Sequence, residues 1–158
     1  RSAYCGRRAG RSQFMKISAK TEYACIAMLE LASRFGSGQP VRIRSIAERH
    51  DVPPRFLVQI LLQLKGAGLV ASTRGAAGGY HLVRDPGSIS LGEVMEAIEG
   101  AGGGEGKTSN ASPDSPAVKA LNAAWQEVAA VERRLLGEIS FADLLDRARD
   151  QDDHMYHI

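Results

Sequence analysis

The sequence predicts a mainly α-helical fold with one small β-hairpin and a long helix towards the C-terminus. Three observations carry this prediction. Apolar residues recur at helical spacing over most of the chain, only two short runs have strand-like composition, and a glycine-rich turn separates those two runs. The 158 residues are 44% hydrophobic, which suffices for one core and an appended element.

The first predicted helix begins at Ser18 and continues to about Phe35, where the sequence GSGQP interrupts it. Its apolar residues are spread around the helix, so we expect it to be central and largely buried. A short helix is predicted over Ile43–His50, followed by the tight connection DVPP. The next helix should start near Pro54, because proline is well tolerated in a first helical turn.

The helix that starts near Pro54 and ends at Gly66 has an apolar and a polar side. Two short helices joined by about four residues, with long polar side chains outward on the second, form the helix-turn-helix pattern. Alone this pattern is weak, because many helical hairpins share it. The apolar side consists of Leu57, Ile60, Leu61 and Leu64, and the polar side of Arg55, Gln59 and Gln63.

Two strand-like runs, residues 69–73 and 80–83, flank the sequence RGAAGG. A basic, glycine-rich hairpin directly after a helix-turn-helix is typical of a wing, and Arg74 is placed to enter a minor groove or to contact phosphates. The alternative is an ordinary hairpin with an exposed arginine. Together these elements predict a winged helix-turn-helix domain over residues 15–100.

The C-terminal half is predicted to contain three further helices. Ser90 and Glu93 form a capping box that opens a helix ending near residue 99. A flexible loop over residues 101–115 separates it from a long helix over 116–136. A last short helix over 140–149 and an acidic tail over 150–158 complete the chain.

The long helix carries an apolar stripe with alternating spacings of three and four residues. Because it lies outside the winged unit, we expect the stripe to pack against a partner, with packing inside the same subunit as the alternative. The stripe consists of Val118, Leu121, Trp125, Val128, Val131 or Glu132, and Leu135.

Charge is divided unevenly along the chain. Residues 1–84 contain 14 Lys and Arg against 4 Asp and Glu, a net charge of +10, whereas residues 85–158 contain 6 against 14, a net charge of −8. This asymmetry predicts a basic half that meets a polyanion and an acidic half that faces water or another subunit. The alternative is a basic surface that is merely solvated.

The cysteine content and the absence of a long apolar run predict a cytoplasmic protein without a membrane partner. The chain contains only Cys5 and Cys25, and no apolar stretch reaches the roughly 20 residues that a membrane span needs. Residues 1–14 are basic but lack the apolar run of a secretory signal. We expect Met15 to be the natural start and residues 1–14 to be a disordered basic extension or a cloning remnant.

From Met15 to about Asp146 the sequence resembles the IscR/NsrR/CymR family of bacterial winged-helix regulators, also called the Rrf-two family. The resemblance rests on MKISAKTEYACIAMLELA, KGAGLVASTRGAAGGYHLVRDP, SLGEVMEAIEG, ALNAAWQEV and FADLL. It implies a sequence-specific DNA-binding transcription regulator, a repressor and not an enzyme. The regulator would bind a partly palindromic operator as a homodimer, with the recognition helices in successive major grooves.

The resemblance also implies which residues contact DNA and which form the dimer. Gln59 would bind an adenine edge, and Arg55 a guanine or a phosphate. The implied DNA-binding residues are Lys20, Tyr23, Pro53, Arg55, Phe56, Gln59, Ser72, Arg74 and Gly75. The implied dimerisation residues, within a dimerisation helix and short helix over 116–149, are Val118, Leu121, Trp125, Val128 and Leu135.

The sequence departs from the family pattern at two places. Val58 stands where many members have a polar or acidic residue, which implies an altered base preference. The loop over 101–115 contains no cysteine, whereas cluster-binding relatives hold three there. Glu22, which matches an acidic cluster ligand of some relatives, is then expected to be exposed or to orient a phosphate, and Cys25 to be a small buried hydrophobe. We therefore predict no metal and no cofactor.

Two other functions stay open at this stage. The protein could be an iron–sulfur-sensing regulator whose cluster cysteines have been replaced, or a winged-helix module that binds another protein. No nucleophile–base pair or metal constellation can be assembled, so an enzyme is not expected. A small-molecule or protein effector that modulates DNA binding also stays open.

Overall fold

The computed structural model describes residues 16–100 and 110–155, so the predictions for residues 1–14, 101–109 and 156–158 lie outside the described residues. Within the described ranges the chain is mainly α-helical with one two-stranded antiparallel sheet, as predicted. The helices are α1 (Ala19–Ser33), α2 (Ile43–His50), α3 (Pro54–Gly66), α4 (Leu91–Glu99), α5 (Pro116–Glu138) and α6 (Phe141–Met155), the strands are β1 (Val70–Thr73) and β2 (Gly79–Leu82), and a 3-10 turn spans Pro86–Ser88.

Helix α1 lies at the centre of the fold and packs against α3, α4 and α6. The Ser18 hydroxyl caps it by accepting a hydrogen bond from the Thr21 backbone N–H at 3.2 Å. Thr21 is itself fully buried, and its hydroxyl donates to the Glu99 carboxylate at 2.7 Å. This bond joins the start of α1 to the end of α4. Because the two residues are far apart in sequence, no local pattern predicts the contact.

Helices α2 and α3 form the predicted helix-turn-helix. Asp51 ends α2 in the left-handed region with a φ of 53°, a conformation that aspartate tolerates better than most side chains. Pro54 then opens α3, whose predicted apolar side is fully buried in the core. The buried side consists of Leu57, Ile60, Leu61 and Leu64.

Strands β1 and β2 form the wing and pair from Val70 with Leu82 to Thr73 with Gly79. The base of the wing is held to the chain before α2, because Val41 and Tyr80 exchange two backbone hydrogen bonds of 2.8 Å. This approach requires glycine next to Tyr80: a Cβ at Gly79 would lie 2.5 Å from the Val41 carbonyl oxygen. The wing is therefore fixed at its base by contacts from outside the hairpin.

The predicted capping box of α4 forms only in part. The Ser90 hydroxyl accepts from the Glu93 N–H at 3.1 Å, as expected. The Glu93 carboxylate, however, accepts hydrogen bonds from Arg84 at 2.7 and 2.8 Å. The Arg84 hydrogen bond is the main cause of the lowered pKa of Glu93. The Glu93 carboxylate thus binds the Arg84 guanidinium and not the backbone N–H of Ser90, which it would bind in a complete capping box.

The chain between α5 and α6 pairs with the chain before α4. The Leu91 N–H donates to the Ile139 carbonyl at 2.8 Å, and the Phe141 N–H donates to the Ile89 carbonyl at 3.0 Å. Phe141 is fully buried, while α5 meets α4 near its own carboxyl end, where a Cβ at Gly92 would lie 3.1 Å from the Leu136 Cβ. These contacts attach the C-terminal helices to the winged domain.

The last helix is longer than the sequence analysis predicts. Helix α6 continues to Met155, so the end near residue 149 and the acidic tail over residues 150–155 are wrong. The physical reason is that these residues include neither glycine nor proline, and nothing interrupts the helical backbone hydrogen bonds. Within the described residues, no helix has both the length and the apolar character that a membrane crossing needs.

The predicted stripe on α5 is exposed. None of the residues of α5 is buried, and the side chain of Trp125 is 63% exposed. The alternative prediction, that the whole stripe packs inside its own subunit, is therefore wrong for the described part of the chain. Val118 is half-buried, while the residues Leu121, Trp125, Val128 and Leu135 are exposed.

Candidate DNA-binding surface

The outer face of α3 presents a group of solvent-exposed side chains opposite its buried side. Arg55 and Gln59 lie one turn apart on this face and are both exposed. Pro53, predicted as a DNA contact, is the N-cap residue of α3 and is half-buried. Since the opposite side of α3 is buried in the core, its outer face is the side that can enter a groove.

An aromatic contact joins the start of α1 to α3. The rings of Tyr23 and Phe56 have centroids 6.1 Å apart, and the guanidinium carbon of Arg55 lies 5.0 Å from the centroid of the Phe56 ring. The fold thus brings together three predicted DNA-binding residues from two helices. Lys20 lies one turn before Tyr23 on α1 and is half-buried. These contacts limit the rotamers of Arg55 and Phe56 beside the outer face.

The wing presents Arg74 at its exposed turn. Gly75 follows with a φ of 107°, and the turn closes with a hydrogen bond from the Gly78 N–H to the Gly75 carbonyl at 3.0 Å. Ser72 is exposed on β1, and its hydroxyl accepts from the Lys65 ammonium at 2.8 Å. This hydrogen bond joins the wing to the end of α3.

Two residues that contact the wing are not among the DNA-binding residues that the sequence predicts. Lys65 connects α3 to Ser72, and the Arg42 guanidinium donates to the Ala76 carbonyl in the wing turn. Arg42 is 34 residues before Ala76 in sequence, so no local spacing could indicate the contact. Lys65, in the last turn of α3, could have been suspected from its position just before the hairpin.

The basic side chains of this surface differ in how far they are neutralised. Residues 16–84 contain ten Lys and Arg against four Asp and Glu. Glu30 pairs with Arg49 at 3.2 Å and with His50 at 2.8 Å, and Glu48 pairs with Arg44 at 2.9 Å. By contrast, no ion pair within the described residues involves Lys20, Arg55 or Arg74. These three cations are available to phosphates.

Comparison with known proteins assigns the chain to a family. The model of the Rrf2 family, described as an iron-dependent transcriptional regulator, matches residues 17–147. The chain belongs to the Rrf2 family. The predicted resemblance is confirmed, and this Rrf2 protein is a member of a family of DNA-binding transcription regulators.

Relatives by sequence carry names of the same kind. An HTH-type transcriptional regulator of Mycobacterium tuberculosis is 37% identical over 137 residues, covering 82% of this Rrf2 chain and 81% of that protein. The HTH-type transcriptional regulator CymR of Bacillus subtilis is 42% identical over 86 residues. This second match covers 54% of the chain and 62% of CymR, which is less than two thirds of its length.

Solved structures confirm the winged-helix fold of the Rrf2 chain. The structure of CymR, the global cysteine regulator of B. subtilis, superposes with a TM-score of 0.72 at 30% identity, covering 84% of this chain and 98% of CymR. The IscR structure from T. potens superposes with a TM-score of 0.69 at 35% identity, covering 85% and 89%.

The donor set of this Rrf2 chain does not fit an iron–sulfur cluster. Clusters are held by several thiolates at one place, but the chain has only two cysteines and residues 100–116 contain none. Cys25, predicted to be buried, is only half-buried in α1, where it packs against the core, and Glu22 is exposed. Burial, followed by the negative charges of Glu99 and Glu22, raises the pKa of Cys25 to about 11. Its thiol therefore stays protonated at neutral pH, and the protonated form is a poor ligand.

We expect the purified protein to form no iron–sulfur cluster when it is reconstituted anaerobically with iron and sulfide. Bound iron, acid-labile sulfide and visible absorption are measured, with a cysteine-bearing relative treated in parallel as the positive control. Stoichiometric iron and sulfide with visible absorption would contradict the prediction. A Cys5→Ser, Cys25→Ser double variant would then show whether these thiols are ligands.

Proposed function

We propose that this chain is a cytoplasmic repressor that binds a partly palindromic operator as a homodimer through α3 and the wing. The observation that supports DNA contact most directly is the joint placement of Arg55, Gln59 and Arg74. All three are exposed, and they lie on two elements that a 2.8 Å hydrogen bond from Lys65 to Ser72 joins. A groove could therefore be contacted by the helix while the wing contacts an adjacent groove or backbone.

The exposed stripe of α5 supports the homodimer. The spacing from Val118 through Leu121, Trp125 and Val128 to Leu135 follows the three-and-four alternation of a helix seam. Such a stripe is unfavourable in water, and a second copy of the same helix offers a matching surface. A two-fold dimer would present two copies of α3, which accounts for a palindromic operator with half-sites about one helical turn apart.

Repression follows in its simplest form if the operator overlaps a promoter, because the bound dimer then excludes the polymerase. An effector, either a small molecule or a partner protein, would change operator occupancy. We propose no catalytic activity for this chain.

The experiment that tests the function is selection of binding sites from random duplex DNA, followed by affinity measurement at several salt concentrations. We expect a two-fold symmetric site and a logarithmic affinity that falls linearly with the logarithm of salt, by about 0.9 per phosphate neutralised. A reporter gene placed downstream of that site should be expressed less when the protein is present. The absence of any salt-dependent DNA binding would favour a winged-helix module that binds another protein.

Replacement of Arg74 by alanine should weaken operator binding by about 1–3 kcal/mol, because the wing loses a cation that contacts a groove or phosphates. Affinity is measured at moderate salt by fluorescence anisotropy. Arg134→Ala is the matched control, since it removes the same charge from α5. Equal affinity of Arg74→Ala and the parent protein would contradict the assignment of the wing.

A further inference from the structure

The outer face of α3 is half apolar. Val58 and Leu62 are 43% and 55% exposed, and they share this face with Arg55 and Gln59. The four positions have the i, i+3, i+4, i+7 spacing that places side chains on one side of a helix. Two aliphatic side chains thus lie beside two side chains that form hydrogen bonds.

Packing in the core does not account for the aliphatic side chains of Val58 and Leu62, which are both exposed. The buried side of α3 is already complete, with Leu57, Ile60 and Leu61 among its fully buried members, and Val58 lies at its edge with 43% of its surface exposed. An exposed valine or leucine gains nothing from water and lowers the solubility of the surface. A partner that carries apolar groups would, by contrast, gain from contact with them.

The major groove offers one such group. Among the four bases, only thymine presents a methyl group at the major-groove edge, and apolar side chains can pack on it. Gln59 is suited to bind the N6 and N7 atoms of adenine, and Val58 is its immediate neighbour in sequence. The same face could therefore contact adenine with an amide and thymine with a methyl group.

We propose that Val58 is a specificity-determining residue that packs against the C5-methyl group of a thymine in each half-site, with Leu62 extending the apolar surface by one turn. This inference rests on the proposed function. Valine is suited to the role, because its side chain has one strongly preferred rotamer in a helix and loses little freedom on contact. Arg55 is held beside this surface by Phe56, whose ring in turn contacts Tyr23.

The test replaces each thymine of the selected operator by uracil, one at a time. Uracil keeps every hydrogen-bonding group of thymine and lacks only the methyl. We expect uracil at one position per half-site to weaken binding about fourfold, the value for one buried methyl-sized group. Val58→Ala should bind the thymine and uracil operators equally, whereas Val58→Ile should retain the preference for thymine.

The outcomes distinguish this inference from the function on which it rests. Sequence-specific binding that is insensitive to uracil at every position would overturn the role of Val58 and leave the regulator intact. An undiminished uracil effect in Val58→Ala would also overturn it, since another residue would then contact the methyl. Failure to select any operator would overturn the proposed function itself. Circular dichroism melting of each variant beside the parent protein is the control for folding, and we expect the exposed substitutions to leave the melting temperature unchanged.

Discussion

The variant Trp125→Asp is expected to be a monomer in solution and to bind its operator at least about a hundredfold more weakly than the parent protein. Trp125 is the largest side chain of the exposed stripe on α5, and in a dimer it would be removed from water. A carboxylate buried there without a partner is costly, so the seam should open. Operator affinity falls with it, because a monomer binds one half-site and loses the gain from a linked second site.

Analytical ultracentrifugation gives the mass of this variant, and anisotropy gives its affinity for full operators and for single half-sites. Ala123→Asp introduces the same charge on the opposite side of α5 and should remain a dimer. Both positions are exposed in the subunit, so neither change should unfold it. A Trp125→Asp protein that sediments as a dimer would show that the subunits associate through a different surface.

The largest loss of stability is expected for Phe141→Ala, at about 3–5 kcal/mol. Phe141 is fully buried at the first turn of α6, beside the backbone pairing with Ile89. Truncation to alanine removes most of the apolar side chain and leaves a cavity at the junction that attaches α5 and α6 to the winged domain. The free energy of unfolding is measured by urea denaturation at a fixed protein concentration, because association would shift the midpoint.

Val83→Ala serves as the control for this truncation. Val83 is 48% exposed, so its substitution should change the free energy of unfolding by no more than about 0.5 kcal/mol. A loss in Phe141→Ala as small as that of the control would mean that the C-terminal helices contribute little to the stability of the winged domain.

The parts of the fold that the sequence predicts well are those whose causes are local. Pro54 and Gly66 bound α3 correctly, because a proline in the first turn and a glycine at the end act through their own backbone. The side of α3 that is buried follows from the period of its leucines and isoleucine. The exposed stripe of α5 follows from spacing in the same way.

The parts that the sequence does not predict depend on contacts between residues of different elements. Glu93 pairs with Arg84 instead of completing its capping box, and Arg42 contacts the wing turn at Ala76. The hydrogen bond between Thr21 and Glu99 joins residues 78 positions apart. The spacing of apolar residues along one helix does not indicate which residues of other elements will contact it. The DNA-binding and dimerisation residues themselves stay predictions, since their partners are other molecules.

The close contact between Gly92 and Leu136 has a consequence for operator architecture. A larger side chain at Gly92 would push the carboxyl end of α5 away from α4, because its Cβ would lie 3.1 Å from that of Leu136. In a dimer built on α5, the tilt of this helix sets the separation of the two copies of α3. For the proposed dimer we therefore expect bulky substitutions at this junction to alter the preferred spacing between half-sites while leaving the bases recognised within each half-site the same.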